Sequence, residues 1–71
     1  SQILTEVREL VKELPPDQQQ VIHMRHYLGL SFKEIADQTG VSINTALGRM
    51  RYALINLRKL IRGKNLTLTR N

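Results

Sequence analysis

Ser31-Phe32-Lys33-Glu34-Ile35-Ala36-Asp37-Gln38-Thr39-Gly40-Val41-Ser42-Ile43-Asn44-Thr45 is the stretch that decides the fold of this 71-residue chain. Ser31 and Glu34 have the spacing of a capping box, in which each side chain satisfies a backbone N–H that the first helical turn leaves open. Ile35 and Ala36 then face inward on a short helix that stops at Gly40, and Ser42 caps the next one. Two helices joined by a tight glycine-containing turn form a helix-turn-helix, here over residues 32–51. The residue types have physical reasons. Ala36 is small because the second helix crosses close above it, Gly40 supplies a positive φ without a Cβ clash, and Val41 plugs the gap beneath the turn.

Outward from this motif, the remaining punctuation predicts two more helices. Ile3, Leu4, Val7, Leu10, Val11 and Leu14 recur at spacings of three and four, which predicts an amphipathic helix over about 2–13. Pro15-Pro16 ends it, because a residue before proline is pushed out of the helical region. Pro16 suits the first turn of a second helix carrying Val21, Ile22, Met24, Arg25 and Leu28, with Asp17 favourable to its dipole and Gly29 as a left-handed cap. The helix opened by Ser42 runs to about Gly63, and residues 64–71 have no period and are expected to fray. Nothing alternates long enough for a strand. The expected fold class is all-α: a four-helix bundle containing a helix-turn-helix, with no sheet. Residues 1–14 form an N-terminal helix that either packs on the domain or belongs to a linker, 15–63 form the domain, and 64–71 a tail.

Composition excludes several function classes. At 71 residues and 41% hydrophobic content the chain makes one small domain, and chains of that size bury only about 60% of their unfolded surface, which disfavours a deep enclosed active site. There is no cysteine, hence no disulfide framework and no thiolate ligand or nucleophile. His23 and His26 are not grouped with carboxylates, so no metal and no cofactor is expected, and both read as partly exposed structural residues. No nucleophile–base pair or phosphate loop is present, so the chain is read as a non-enzyme without catalytic residues. No apolar run approaches the roughly 18 residues of a membrane span and no signal peptide opens the chain, which points to an intracellular module.

Charge is the positive clue. Residues 1–40 carry four basic and six acidic side chains, whereas residues 41–71 carry Arg49, Arg51, Arg58, Lys59, Arg62, Lys64 and Arg70 with no acid. A basic half joined to an acidic half implies a polyanion on one side. On the wheel of the last helix, Ala46, Met50, Ala53, Leu57 and Leu60 form the core stripe, with Leu54 and Ile61 beside it. Asn44, Gly48, Arg51, Ile55, Lys59 and Arg62 lie opposite, flanked by Thr45, Arg49 and Tyr52. A helix from Ile43 to Arg62 would span about 30 Å, so only its first two or three turns fit a major groove about 12 Å wide.

The candidate contacts to DNA are therefore Asn44, Thr45, Gly48, Arg49, Arg51 and Tyr52. Asn44 can make a bidentate pair with adenine and an arginine with guanine. Thr45, Tyr52 and the first amides of the helix suit phosphates. Gly48 permits close backbone approach, at a cost of roughly 1 kcal/mol against alanine in a helix. Tyr27 and Phe32 read as core or core edge, and Ile55 as a single exposed apolar residue.

From Leu14-Pro15-Pro16 through Gln20-Val21-Ile22, Arg25, Gly29 to Ala36, Gly40-Val41-Ser42, Thr45, Arg49-Met50, Ala53 and Leu57-Arg58, the chain resembles region 4 of bacterial RNA polymerase sigma factors, most of all the extracytoplasmic-function group. The resemblance covers about residues 10–62. It implies the C-terminal domain of a longer cytoplasmic bacterial protein that reads the minus-35 element of double-stranded promoter DNA in transcription initiation. It also implies docking on the β flap of RNA polymerase and, often, sequestration by an anti-sigma factor. Carried over by position, Arg25 and Lys33 approach the DNA backbone, and Arg25 is also placed to pair with Glu34. Ser42, Asn44, Thr45 and Arg49 open the reading helix, and Arg51 and Tyr52 follow. The chain departs from the family pattern at Leu47-Gly48, where many members have a basic residue and a serine. Apolar contact with a thymine methyl or DNA shape then remains as a route to reading there, or Leu47 packs inward. Two alternatives stand beside this reading: the effector domain of a response regulator, and a module that mainly docks proteins.

Overall fold

The computed structural model describes residues 2–64, all-helical in the order α1 (Gln2–Val11), α2 (Pro16–Ile22), α3 (Phe32–Thr39) and α4 (Ile43–Gly63), with one π-helical turn, His23–Tyr27, continuing α2. Local stereochemistry sets most of these limits. Pro15 adopts φ −54° and ψ 150°, and its carbonyl accepts the N–H groups of Gln18 and Gln19, both at 3.0 Å, so α2 starts with Pro16 in its first turn. The Gln19 side-chain amide donates back to the carbonyls of Leu14 at 2.7 Å and Lys12 at 3.1 Å, which closes the turn between α1 and α2.

The capping box at the start of α3 is complete. Glu34 N–H donates to Ser31 Oγ at 3.1 Å, and Ser31 N–H donates to the Glu34 carboxylate at 2.9 Å. At the other end Gly40 takes φ +70°, and Val41 N–H reaches the Ala36 carbonyl at 3.0 Å, the wide closing bond of a left-handed C-cap. The second left-handed glycine, Gly29 at φ +68°, follows the π turn. There Leu30 N–H bonds the Met24 carbonyl at 3.0 Å, one residue wider than the closure at Gly40. That extra residue is the one the π turn inserts.

The π turn corrects the sequence reading, which has an ordinary helix to Leu28. Tyr27, within the turn, is 52% exposed rather than at the core edge. There it meets Arg8, whose guanidinium carbon is 5.8 Å from the ring centroid, and the rings of His23 and His26 at 5.5 and 5.2 Å.

The core holds Leu14, Val21, Met24, Ile35, Ala36, Ala46 and Ala53, with Val11, Ile22, Phe32, Val41, Met50 and Leu60 packed around it. Val21 and Ile35 are its large fully buried side chains. Ala36, Ala46 and Ala53 are buried at the points where α4 meets its neighbours, and their small size lets the backbones approach. Leu10 and Leu14 of the N-terminal segment are each 4% exposed, and α1 lies against α4. Because α4 touches α1, α2 and α3, more of its circumference is covered than one stripe provides. Ile55 is accordingly half-buried rather than open to solvent. Helix α4 ends at Gly63 without a left-handed residue, Lys64 closing it through Leu60 at 2.9 Å. The expectation of a frayed tail concerns residues that, from 65 onward, lie outside the described ones.

Candidate nucleic-acid interface

The second helix of the motif begins at a polar cap. Ser42 Oγ accepts the backbone N–H of Thr45 at 3.0 Å, and the two hydroxyls lie 3.0 Å apart. Serine at this position leaves the first amides of α4 at the surface, where the positive end of the helix dipole favours an anion. The next residues present an open row: Ser42, Asn44, Thr45, Arg51 and Tyr52 are exposed, Tyr52 by 61%. Gly48 and Arg49 are half-buried between them. No acidic residue occurs anywhere in α4. Ile43 and Leu47, at 45% and 43% exposure, border the same leading turns. Leu47 is therefore partly open to solvent rather than sealed in the core.

Two of the sequence-derived cations are not where the sequence alone places them. Arg25 does not pair with Glu34, whose carboxylate is held by Ser31. Instead Arg25 Nη1 donates to the Leu30 carbonyl at 2.9 Å and the guanidinium lies 5.0 Å from the centroid of the Phe32 ring. It ties the π turn to the start of α3 by a carbonyl and a ring face, and stays exposed. Lys33 is exposed beside it. Arg49 is held by Asp17: its Nε lies 3.6 Å from a carboxylate oxygen, with 28% of the arginine side chain and 51% of the aspartate side chain exposed. Asp17 belongs to this surface through Arg49, although the sequence marks it only as a favourable charge in the first turn of α2. The pairing joins distant elements and has no local signature.

The Glu34 carboxyl is held below the ordinary glutamate range, first by the Ser31 backbone N–H and then by the Ser31 hydroxyl. Among the described residues no group of three or more His, Asp or Glu is placed to hold a metal ion. No helix of the described residues is long and apolar enough to cross a membrane.

Away from the exposed row, α1, α2 with its π turn and α4 enclose a groove of about 540 Å³. Its walls are mainly apolar, Val7, Ile22, Met50, Leu54 and Leu57 among them, and Arg8 and His23 also line it. Leu54 is 47% exposed there.

The family model described as sigma-70, region 4 matches residues 4–54. Neither a curated protein nor a solved structure matches the chain. The match covers well over half of the sequence, and the chain belongs to the sigma-70 region 4 family: DNA-binding, non-enzymatic domains of sigma factors that act in transcription with promoter DNA and RNA polymerase.

Proposed function

We propose that this region 4 domain reads the minus-35 promoter element by laying the first turns of α4 into the major groove. The proposal assigns it to a cytoplasmic sigma factor of the extracytoplasmic-function group. The observation that carries the reading is the row Ser42, Asn44, Thr45, Arg51 and Tyr52, exposed on the leading turns of an acid-free, serine-capped helix. In this reading Asn44 and Arg51 pair with base edges, since amide and guanidinium groups match adenine and guanine there. Ser42, Thr45 and Tyr52 contact phosphates, and Arg25 and Lys33 extend that contact along the backbone from the other side of the motif. Gly48 lets the helix approach closely, and Arg49 adds charge at the centre. With the family shown, the response-regulator alternative falls away.

The test is titration of duplexes carrying candidate upstream elements, with and without polymerase. Asn44→Ala or Arg51→Ala should each lose roughly 1–3 kcal/mol on the preferred duplex and much less on others. A chain with no preference among duplexes at low ionic strength, even with polymerase present, overturns the reading.

The apolar groove supports a second, compatible role in docking protein partners: the polymerase β flap and, in regulation, an anti-sigma factor. Leu54→Ser in its wall should weaken polymerase binding while leaving duplex affinity of the isolated chain unchanged. Equal polymerase binding by the variant removes the groove from that role.

A further inference from the structure

Arg49 is the half-buried cation of the exposed row, and a carboxylate is already in contact with it. Asp17 lies in the first turn of α2, next to Gln18, whose side-chain oxygen accepts from Asn56 Nδ2 at 2.9 Å. Arg49 and Asn56 are seven positions apart on α4, hence on one face. Two consecutive residues of α2 therefore meet two residues of one face of α4, and the Asp17–Arg49 contact has a fixed frame. The contact runs through Arg49 Nε at 3.6 Å, and the 28% of the arginine side chain that is exposed is the edge a second anion can reach. A phosphate that takes that edge comes close to the Asp17 carboxylate, and like charges repel.

Resting on the DNA-reading function above, we propose that Asp17 is a built-in counter-anion of the interface: it competes with DNA phosphate for Arg49 and weakens indiscriminate binding to duplex DNA. Non-specific affinity is set by the number of cations that neutralise phosphates, and each one adds about 0.9 to the log–log salt slope on B-DNA. An arginine partly neutralised within the protein contributes less than a free one. Base reading by Asn44 and Arg51 does not depend on this charge, so the effect of Asp17 is to raise the ratio of specific to non-specific binding.

The experiment is a double-mutant cycle on the whole 71-residue chain, using a duplex of mixed sequence with no preferred element and a range of salt concentrations. Asp17→Asn keeps the size of the side chain and removes its charge. It should bind about two- to fivefold tighter at low salt, with a slope steeper by about one phosphate. Asp17→Glu should restore wild-type behaviour. In an Arg49→Ala background, Asp17→Asn should change little, because the cation it acts on is gone. An equal gain with and without Arg49 means that only net charge acts, and overturns the proposal. So does unchanged or weaker binding by Asp17→Asn when circular dichroism shows full helicity. Wild-type protein that binds no duplex at all sinks the DNA-reading function first. Wild-type binding with no coupling between the two residues sinks the counter-anion alone.

Discussion

The side-chain amide of Asn56 donates to the side-chain oxygen of Gln18 across 2.9 Å, bridging residues 38 positions apart. Both side chains are partly buried. The bond lies where the start of α2 meets α4, beside the contact between Asp17 and Arg49.

Removing that bond has a measurable consequence. Asn56→Ala leaves the Gln18 amide without its protein partner and should cost about 1 kcal/mol. In a domain of this size that lowers the melting temperature by roughly 4–8 °C. The variant should keep wild-type helicity below the transition. An unchanged melting temperature shows that water replaces the bond without loss.

The core is more sensitive. Ile35 is 1% exposed, and Ile35→Ala should cost about 2–5 kcal/mol from lost transfer energy and the cavity left behind. Ala53 is 0% exposed, and Ala53→Leu should cost about 1–3 kcal/mol by forcing α4 away from its neighbours. Denaturant unfolding reads both, and a neutral Ala53→Leu means that the crossing is looser than described.

Two glycines should respond in opposite directions. At Gly40 a new Cβ meets nothing within 4 Å, yet φ is +70°, so Gly40→Ala costs roughly 1–2 kcal/mol in backbone strain alone. At Gly48 the space is also open, with an ordinary helical backbone. Gly48→Ala should therefore stabilise the fold by up to about 1 kcal/mol. If close approach to DNA is the reason for glycine there, the same variant binds duplex more weakly. Higher stability with undiminished affinity removes Gly48 from the interface.

The capping box predicts a pH dependence. The Glu34 carboxyl is held below its ordinary value of 4.5 by hydrogen bonds to Ser31 that favour the ionised form. Its stabilising effect is therefore present above that value and is lost as pH falls through the lower folded-state value. Melting temperature measured from neutral pH down into this acid range should fall less for Glu34→Gln than for wild type. Superimposable pH profiles exclude Glu34 as a contributor.

The start of α2, the limits of α3 and α4 and the polar start of α4 are legible in the sequence because the forces that set them act within a few residues, whereas the end of α2 at Ile22 is not. Pro15-Pro16 excludes helix, Ser31 and Glu34 cap each other, Gly40 takes a conformation costly to any other residue, and Ser42 holds the amide three positions on. The acid-free character of α4 is read from its composition, and its exposed row around Asn44 and Arg51 from helical spacing.

What tertiary structure alone decided is which side chains meet between helices. The angle and height at which α2 crosses α4 arise from the joint packing of Val21, Ile35, Ala46 and Ala53, and no local pattern encodes them. That packing delivers Arg49 to Asp17, seats Gln18 on Asn56 and half-covers Ile55. At the π turn Tyr27 meets Arg8 while Met24 stays in the core, and Arg25 meets the Leu30 carbonyl and the Phe32 ring. Composition and helical period name the surface offered to DNA. Only the packed fold decides which of its charges are already engaged.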